Sequence, residues 1–456
     1  MRSGAILGCI FAVSMLLPLG AQSPPAGGVS VMTRGEECLK VHDGIGGNAT
    51  FVELDDERIL MSNGNGRFSV STDGGLNWSP FWQAHDPDGK PLGRGESSLV
   101  RLSGKAIGYA SRSIFAGDED PEGHILFFRS DDYGKTWSPP TRVTPAWGPR
   151  TASMNDVLLR TTSGRLIMPV YWAWGYLNRE AIDFQRGYPF VGGLRNNQWI
   201  STNAHFFEER FCMSYVCYSD DDGRTWKRNR GGDLLIIMDH GSWFQGLNEP
   251  TVAEVEPGKL LMLMRNNLGR LFESRSTDNG ETWSMPEPTM LAASTAPAQI
   301  RRIPDSGHLL VVWNQQSPEE IRRGFIRTRL SAAISRSSGW IWEFFQNIDS
   351  IHPETRVEPG PIEPIRPAEI YYGHRPSGYR DPAHITSLPA EYGRFSYPSV
   401  LVLKDRVLVG HSNAYYPTRG PEGWKVPGRL RVIPISWFYE GEDRFRKNPS
   451  FDGIYK

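Results

Sequence analysis

Four segments repeat one set of polar and aromatic residues at fixed spacing. Ser71, Asp73, Gly75 and Trp78 follow the pattern S-x-D-x-G-x-x-W, as do Ser130, Asp132, Gly134 and Trp137; Ser219, Asp221, Gly223 and Trp226; and Ser276, Asp278, Gly280 and Trp283. A fifth copy, Ser335, Ser337, Gly339 and Trp342, has serine in place of the aspartate. Serine and aspartate at this spacing do the chemistry of a hairpin turn, because their oxygens accept from N–H groups of their own loop. The glycine supplies a positive φ that other residues resist. The tryptophan is expected to open the next strand and pack under the turn. The repeat is therefore read as structural, with its aspartates committed to turns rather than to a metal. No His or Cys cluster has ligand spacing, so neither a metal nor a cofactor is expected. Oxygen-only calcium coordination leaves no such signature and stays open. There is no phosphate loop and no nucleotide fingerprint.

The strands that must carry these turns are legible. Each copy follows a β-rich run, such as His124–Ser130 or Met213–Ser219. A second strand type ends in glycine and a basic residue, as in Leu99–Lys105, Val157–Arg165 and Val252–Lys259. Each unit is thus a meander of about four strands, which is a propeller blade. A sixth unit without the repeat lies near Tyr397–Tyr439. The expected fold is all-β, a six-bladed β-propeller whose ring closure hides its strand edges. It is expected to occupy residues 22–456 as a single domain. The stretch 346–392, rich in Pro, Gly, His and Tyr, is expected as a long ordered excursion between blades five and six, either a binding loop or a plain crossover.

Composition narrows the function. Lys plus Arg number 50 against 51 Asp plus Glu, a balance that argues against a nucleic-acid partner. Fifteen Trp and sixteen Tyr suit a β core and a glycan cleft alike. Residues 1–21 read as a cleaved signal peptide: Arg2 is the positive charge, Ala5–Leu19 the apolar run and Gly20-Ala21 the small-residue cleavage site. The run is shorter than the ~20 residues of a membrane span. A secreted or periplasmic protein without a span is expected. Three cysteines remain after cleavage, and two readings stay open. Cys212 and Cys217 could pair across a short turn, leaving Cys38 free, or all three could be buried thiols.

The repeat is the Asp-box found in sialidases and their relatives, and a second resemblance is more specific. The segment from Asn248-Glu249-Pro250 to Arg265 is similar to the sialidase strand pair that carries a glutamate and, about sixteen positions on, an arginine. Asn155-Asp156 with Gly164–Pro169, Gln299–Pro304 through Trp313-Asn314, and Arg327–Leu330 resemble further segments of bacterial sialidase-like proteins. The resemblance implies an exo-acting, retaining glycoside hydrolase that removes terminal sialic acid from an oligosaccharide or glycoprotein. In that family arginines grip the substrate carboxylate with paired, charge-assisted bonds. A neutral tyrosine replaces the carboxylate nucleophile that the substrate would repel. A glutamate is base to the phenol, and an aspartate is acid/base to the leaving oxygen.

Carried over, these roles fall on Tyr397 in Phe395–Val400 as nucleophile, Glu249 as its partner and Asp118 in the acidic loop Gly117–Asp120 as acid/base. Arg265, Arg327 and Arg94 form the clamp, with Arg322, Arg323 and Arg329 competing for the place of Arg327. The sequence departs from the family in two places. Pro398 interrupts the Tyr-Ser-x-Leu context of the nucleophile. The early Arg-Ile-Pro is absent, and Arg94 ahead of Glu96–Leu99 is only a loose substitute. These departures keep two alternatives in play. One is a hydrolase or lyase acting on another acidic glycan, with His42, His240, His374 and Tyr379 as acid/base candidates. The other is a non-catalytic glycan-binding propeller, in which Tyr397 and Glu249 face away from any common cleft.

Overall fold

The computed structural model describes residues 38–112, 124–145, 151–173, 193–195, 198–200, 212–236, 238, 246–322, 327–363, 393–415, 419–420, 423–424, 428–442 and 445–446. Six antiparallel sheets follow one another along the chain as six blades. Their inner strands are Thr50–Glu53, Arg94–Arg101, the split pair Thr151–Ala152 and Leu159–Arg160, Asn248–Glu256, Gln299–Arg302 and Gly393–Val402. Blade six also takes in the other end of the chain. Lys40–Asp43 pairs with Gly428–Pro434, His42 opposite Leu430, so both ends of the chain close one sheet.

The ring is held by what lies between the blades. Side chains alternate across a strand, and here both faces are apolar. In the fully buried strand Leu309–Asn314, Leu310 and Val312 face blade six while Leu309, Val311 and Trp313 face blade four. Six apolar clusters fill the six seams in this way, ending with Phe51 and Met61 of blade one against Leu408 and Leu430 of blade six.

The Asp-boxes connect the third and fourth strands of blades one to five. In the second box Ser130 Oγ donates to Asp132 Oδ1 at 2.8 Å, and the Gly134 and Thr136 N–H groups donate to Ser130 Oγ and Asp132 Oδ1, each at 2.8 Å. Trp137 Nε1 donates to the Gly134 carbonyl at 3.1 Å. In the fifth copy the Ser337 hydroxyl takes over, accepting from Ile341 N–H at 2.9 Å. The tryptophan does not open the next strand as expected but precedes it in every copy, as Trp78 precedes Trp82–Gln83 and Trp226 precedes Lys227–Arg228. The box glycines do more than bend the chain. Gly223 has φ +82, and a Cβ there would lie 2.0 Å from Phe127 of the preceding blade; at Gly339 (φ +91) it would lie 2.5 Å from Leu261 of the preceding blade. Each box thus seals the seam to the blade before it.

Burial raises the carboxyls of Asp73, Asp132, Asp221 and Asp278, but hydrogen bonds from their own loops outweigh it and hold all four below the ordinary value of 3.8. A lowered value means that this stability is complete above the ordinary carboxylate range and is lost as pH falls through the folded values. Asp132→Ala should cost about 1–2 kcal/mol, as the loss of a polar cap does. Urea unfolding at neutral pH tests this, and an unchanged midpoint would refute the role given to the carboxylate.

At the axis, Asp156 (φ +61) joins the inner strands. It accepts from Thr50 Oγ1 at 2.8 Å and from Val400 N–H at 2.8 Å, pairs with Arg301 at 2.6 Å, and its own N–H donates to the Ser97 carbonyl at 2.8 Å. Burial pushes its carboxyl up despite Arg301.

Two expectations need correcting. Cys212 and Cys217 lie in one strand, Cys212–Ser219, not across a turn. Five residues of extended chain put their Cα atoms roughly 16 Å apart, far beyond the reach of a disulfide. Both are buried thiols not bonded to each other, and Cys38 is a half-buried one. The stretch 346–392 does not begin as an excursion, because Gln346 belongs to the outer strand of blade five, Glu343–Ser350. Residues 364–392 lie outside the described part, as do residues 1–37 with the expected signal peptide.

Candidate functional site

Topology puts the site at one end of the axis. Inner strands begin, second strands end and third strands begin at the end opposite the Asp-boxes. Glu96, Glu249, Arg394 and Tyr397 lie near the starts of inner strands. Arg112, Tyr171 and Arg265 lie at or near the ends of second strands. Arg327 lies just before the third strand of blade five, Arg329–Ser335.

The backbone here is irregular in a repeated way. Blades two, four and six each shift register where the inner strand begins, between Arg94 and Ser97, Asn248 and Thr251, and Ser396 and Ser399. A bulge leaves an extra residue unpaired and re-aims its side chain. Glu249 (φ +46) and Tyr397 (φ +56) occupy the bulges, each followed by proline. Proline lacks a ladder N–H, and a bulge does not demand one. Pro398, a departure from the family's pattern, thus has a backbone that accommodates it. Arg327 also has a positive φ of +59. Such conformations cost of order 1–3 kcal/mol each and persist where the surroundings impose them.

Two of the expected residues, Arg265 and Arg327, meet at Thr295 in the connection between blades four and five, and each brings one more, Glu249 and Tyr397. Arg265 Nη1 pairs with Glu249 Oε2 at 2.5 Å, and its Nε donates to Thr295 Oγ1 at 3.3 Å. Arg327 donates to the Thr295 carbonyl from Nη2 at 3.0 Å and from Nε at 3.3 Å. The Arg327 guanidinium lies over the Tyr397 ring, 5.0 Å from its centroid. Burial pushes the Arg327 guanidinium below its ordinary value. Tyr397 and Glu249 support its charge, while Arg394 and Arg265 oppose it. A third arginine, Arg394, thus lies near enough for its charge to act on Arg327.

On the other flank Arg112 pairs with Glu96 at 3.3 Å. Burial and the charge of Glu249 push the Tyr171 phenol well above its ordinary value, with Glu96 and Tyr397 adding to the effect and Arg112 opposing it. It stays a protonated donor beside two carboxylates. The strand places it so: Tyr171 shares a face with Ile167, which packs against Val252 and Met262 of blade four.

The remaining expected residues either lie outside the described part or stand away from this group. Arg94 opens the inner strand of blade two, paired with Arg112, but its side chain lies outside the described part. Asp118, His240, Arg323, His374 and Tyr379 lie outside the described residues, as does the side chain of Arg322. Arg329 is fully buried and forked onto Glu320 at 2.9 and 3.1 Å, so it is not a cleft residue. His42 lies 3.0 Å from the carbonyl of Gly75 in the first box, away from the cleft. Among the described residues no helix is long and apolar enough to cross a membrane.

A six-bladed ring sealed by Asp-boxes, with arginines and acids gathered at one axial end, is a propeller of the sialidase type. The profile of the BNR repeat-like domain matches residues 110–409, most of the chain, and the chain belongs to that family. Among solved structures it is similar to a Hadza microbial sialidase, with TM-score 0.51 and 15% identity over 90% of this chain and 68% of the other. The NanB sialidase of Streptococcus pneumoniae gives TM-score 0.52 and 12% identity over 91% and 72%. Trypanosoma rangeli sialidase gives 0.50 and 15% over 88% and 56%. Identity at this level speaks to fold alone.

Proposed function

We propose that the protein is an exo-acting glycoside hydrolase that removes terminal sialic acid from secreted or surface glycans. The observation that carries this reading is the convergence of Arg265 and Arg327 on Thr295, with Tyr397 beneath one guanidinium and Glu249 against the other. A ketosidic carboxylate needs such a fork of cations, and Arg394 supplies a third charge where the family's early arginine is missing. Beside that carboxylate an anionic nucleophile would be repelled, so the neutral Tyr397 phenol attacks the anomeric carbon. Glu249 takes its proton, and Asp118 protonates the leaving oxygen.

One observation favours a second reading, a carboxylate-binding propeller without turnover. Glu249 is held by Arg265 at 2.5 Å, so one of its oxygens is committed to the guanidinium rather than to the phenol. Release of a fluorogenic leaving group from an α-sialoside, alongside calorimetric binding of sialic acid, separates the two. Tyr397→Phe should lower turnover by at least about a thousandfold and leave binding intact. Binding without turnover in the wild type would select the second reading, and a folded protein with neither would sink both.

A further inference from the structure

Arg327 keeps its left-handed backbone (φ +59) because hydrogen bonds hold it on both sides. Its carbonyl accepts from Phe395 N–H at 2.8 Å, and its own N–H donates to Gln316 Oε1 at 2.6 Å. Gln316 is itself oriented, since its Nε2 donates to Thr328 Oγ1 at 2.6 Å. Thr328 Oγ1 lies 2.9 Å from His352 Nε2, and His352 Nδ1 lies 3.5 Å from Glu320 Oε1. A continuous chain of polar contacts thus runs from a histidine side chain that is 14% exposed to the backbone of a cleft arginine.

The protons on this chain follow from what each atom can do. Burial raises the Glu320 carboxyl, but the fork from Arg329 outweighs it and holds the group below its ordinary value, so it is ionised and only accepts. Nδ1 of His352 therefore carries hydrogen. In the neutral ring Nε2 must accept, and its donor is the Thr328 hydroxyl. The Thr328 oxygen then accepts from Gln316 Nε2, which turns the Gln316 oxygen towards Arg327 N–H. Protonation of the ring makes Nε2 a donor as well. The Thr328 proton is displaced, and the other side chain in contact with it is Gln316. If the Gln316 oxygen turns to take that proton, its NH2 meets Arg327 N–H, donor against donor.

We propose that His352 is a positioning residue for Arg327. As a neutral ring it holds, through Thr328 and Gln316, the backbone that aims this guanidinium, and its protonation releases the hold. The consequence for ligand binding rests on the reading of Arg327 as part of a carboxylate clamp. Among the described residues, the charged groups around the ring include Glu320 on the short helix Pro318–Arg322, Glu354 in the segment that follows the ring, and Arg329 behind Glu320.

The test is amide hydrogen exchange at Arg327 in the whole protein, corrected for intrinsic rates, from about pH 8 to about pH 5, a range that brackets the histidine transition near 6.5. Wild-type protection should fall by about fivefold or more, the worth of one hydrogen bond. His352→Gln still accepts from Thr328 but does not titrate, so its protection should hold across the range. Thr328→Val deletes the middle of the chain and should show low protection at both ends. Calorimetry with sialic acid at the same pH values is the second readout. A protection switch accompanied by a matching loss of affinity supports the proposal and the clamp together. The same switch without sialic acid binding supports the positioning role and sinks the clamp. An identical pH response in wild type and His352→Gln, or wild-type behaviour in Thr328→Val, overturns the proposal.

Discussion

Arg265→Ala should lower the free energy of unfolding by about 3–5 kcal/mol, an effect set by what it leaves behind rather than by what it removes. The side chains of Arg265 and Glu249 are 5% and 7% exposed and 2.5 Å apart. Without the guanidinium, the Glu249 carboxylate stays enclosed on a strained bulge (φ +46) with its partner gone. Neutralising that acid should relieve most of the cost, so Arg265→Ala with Glu249→Gln is expected to recover at least half of the loss. Urea unfolding followed by tryptophan fluorescence measures all three proteins. If the double variant is no more stable than Arg265→Ala, the pair is not coupled and the argument fails. In the same samples affinity for sialic acid should drop roughly a hundredfold on loss of the arginine, and Glu249→Gln should not restore it. A stability defect can be repaired from the acid's side, whereas a missing ligand contact cannot.

This pair was legible in the sequence because Glu249 and Arg265 sit on one hairpin, with Asn248 opposite Arg265. A short-range pattern fixes such a contact before any tertiary packing exists. The Asp-boxes were legible for the same reason, since Ser130, Asp132, Gly134 and Trp137 bond within their own loop. Their second role was not legible. That Gly223 must lack a side chain because Phe127 of the preceding blade lies against it depends on ring closure. Thr295, Arg394, Tyr171 and the Glu96–Arg112 pair escaped for that reason too. They come from four different blades or the connections between them, and no spacing along the chain relates them. Arg394 does leave one signal, three positions before Tyr397 on the same inner strand, whereas the family's pattern points to an early arginine and so to Arg94. Of the two readings open for Cys212 and Cys217, the disulfide fails because the four residues between them are extended rather than turned. Tyr215, Val216 and Tyr218, β-branched or aromatic, favour a strand there.

The other large effect is expected far from the cleft chemistry, where the ring closes. Asp349 is fully buried at the end of blade five's outer strand and reaches into blade six. Its Oδ2 accepts from His411 Nε2 at 2.9 Å and Arg431 Nε at 2.7 Å, and its Oδ1 from Arg431 Nη2 at 2.7 Å and Arg429 Nη1 at 3.3 Å. Arg429 also pairs with Asp43 of the closing strand at 2.8 Å, so the cluster binds blade five, blade six and the N-terminal strand together. Burial alone would push the Asp349 carboxyl up, yet His411 and Arg431 hold it far below the ordinary value of 3.8. The sign follows: the folded value is depressed, so the stabilisation is complete at neutral pH and is lost only as pH falls below the ordinary carboxylate range. Asp349→Asn keeps the shape and removes the charge. Whichever way the amide turns, its NH2 faces two donors, and Arg431, 5% exposed, loses the buried charge of Asp349. A loss of about 3–5 kcal/mol is expected at neutral pH. The gap between variant and wild type should narrow in acid, because below the ordinary carboxylate range the unfolded wild type takes up a proton at Asp349 that the folded state resists. Urea midpoints at about pH 7 and about pH 3 test both statements. A gap that is equally wide at both would mean that Asp349 acts through its shape rather than its charge, and the account of how the propeller is locked would then have to rest on the apolar seam and the strand pairing alone.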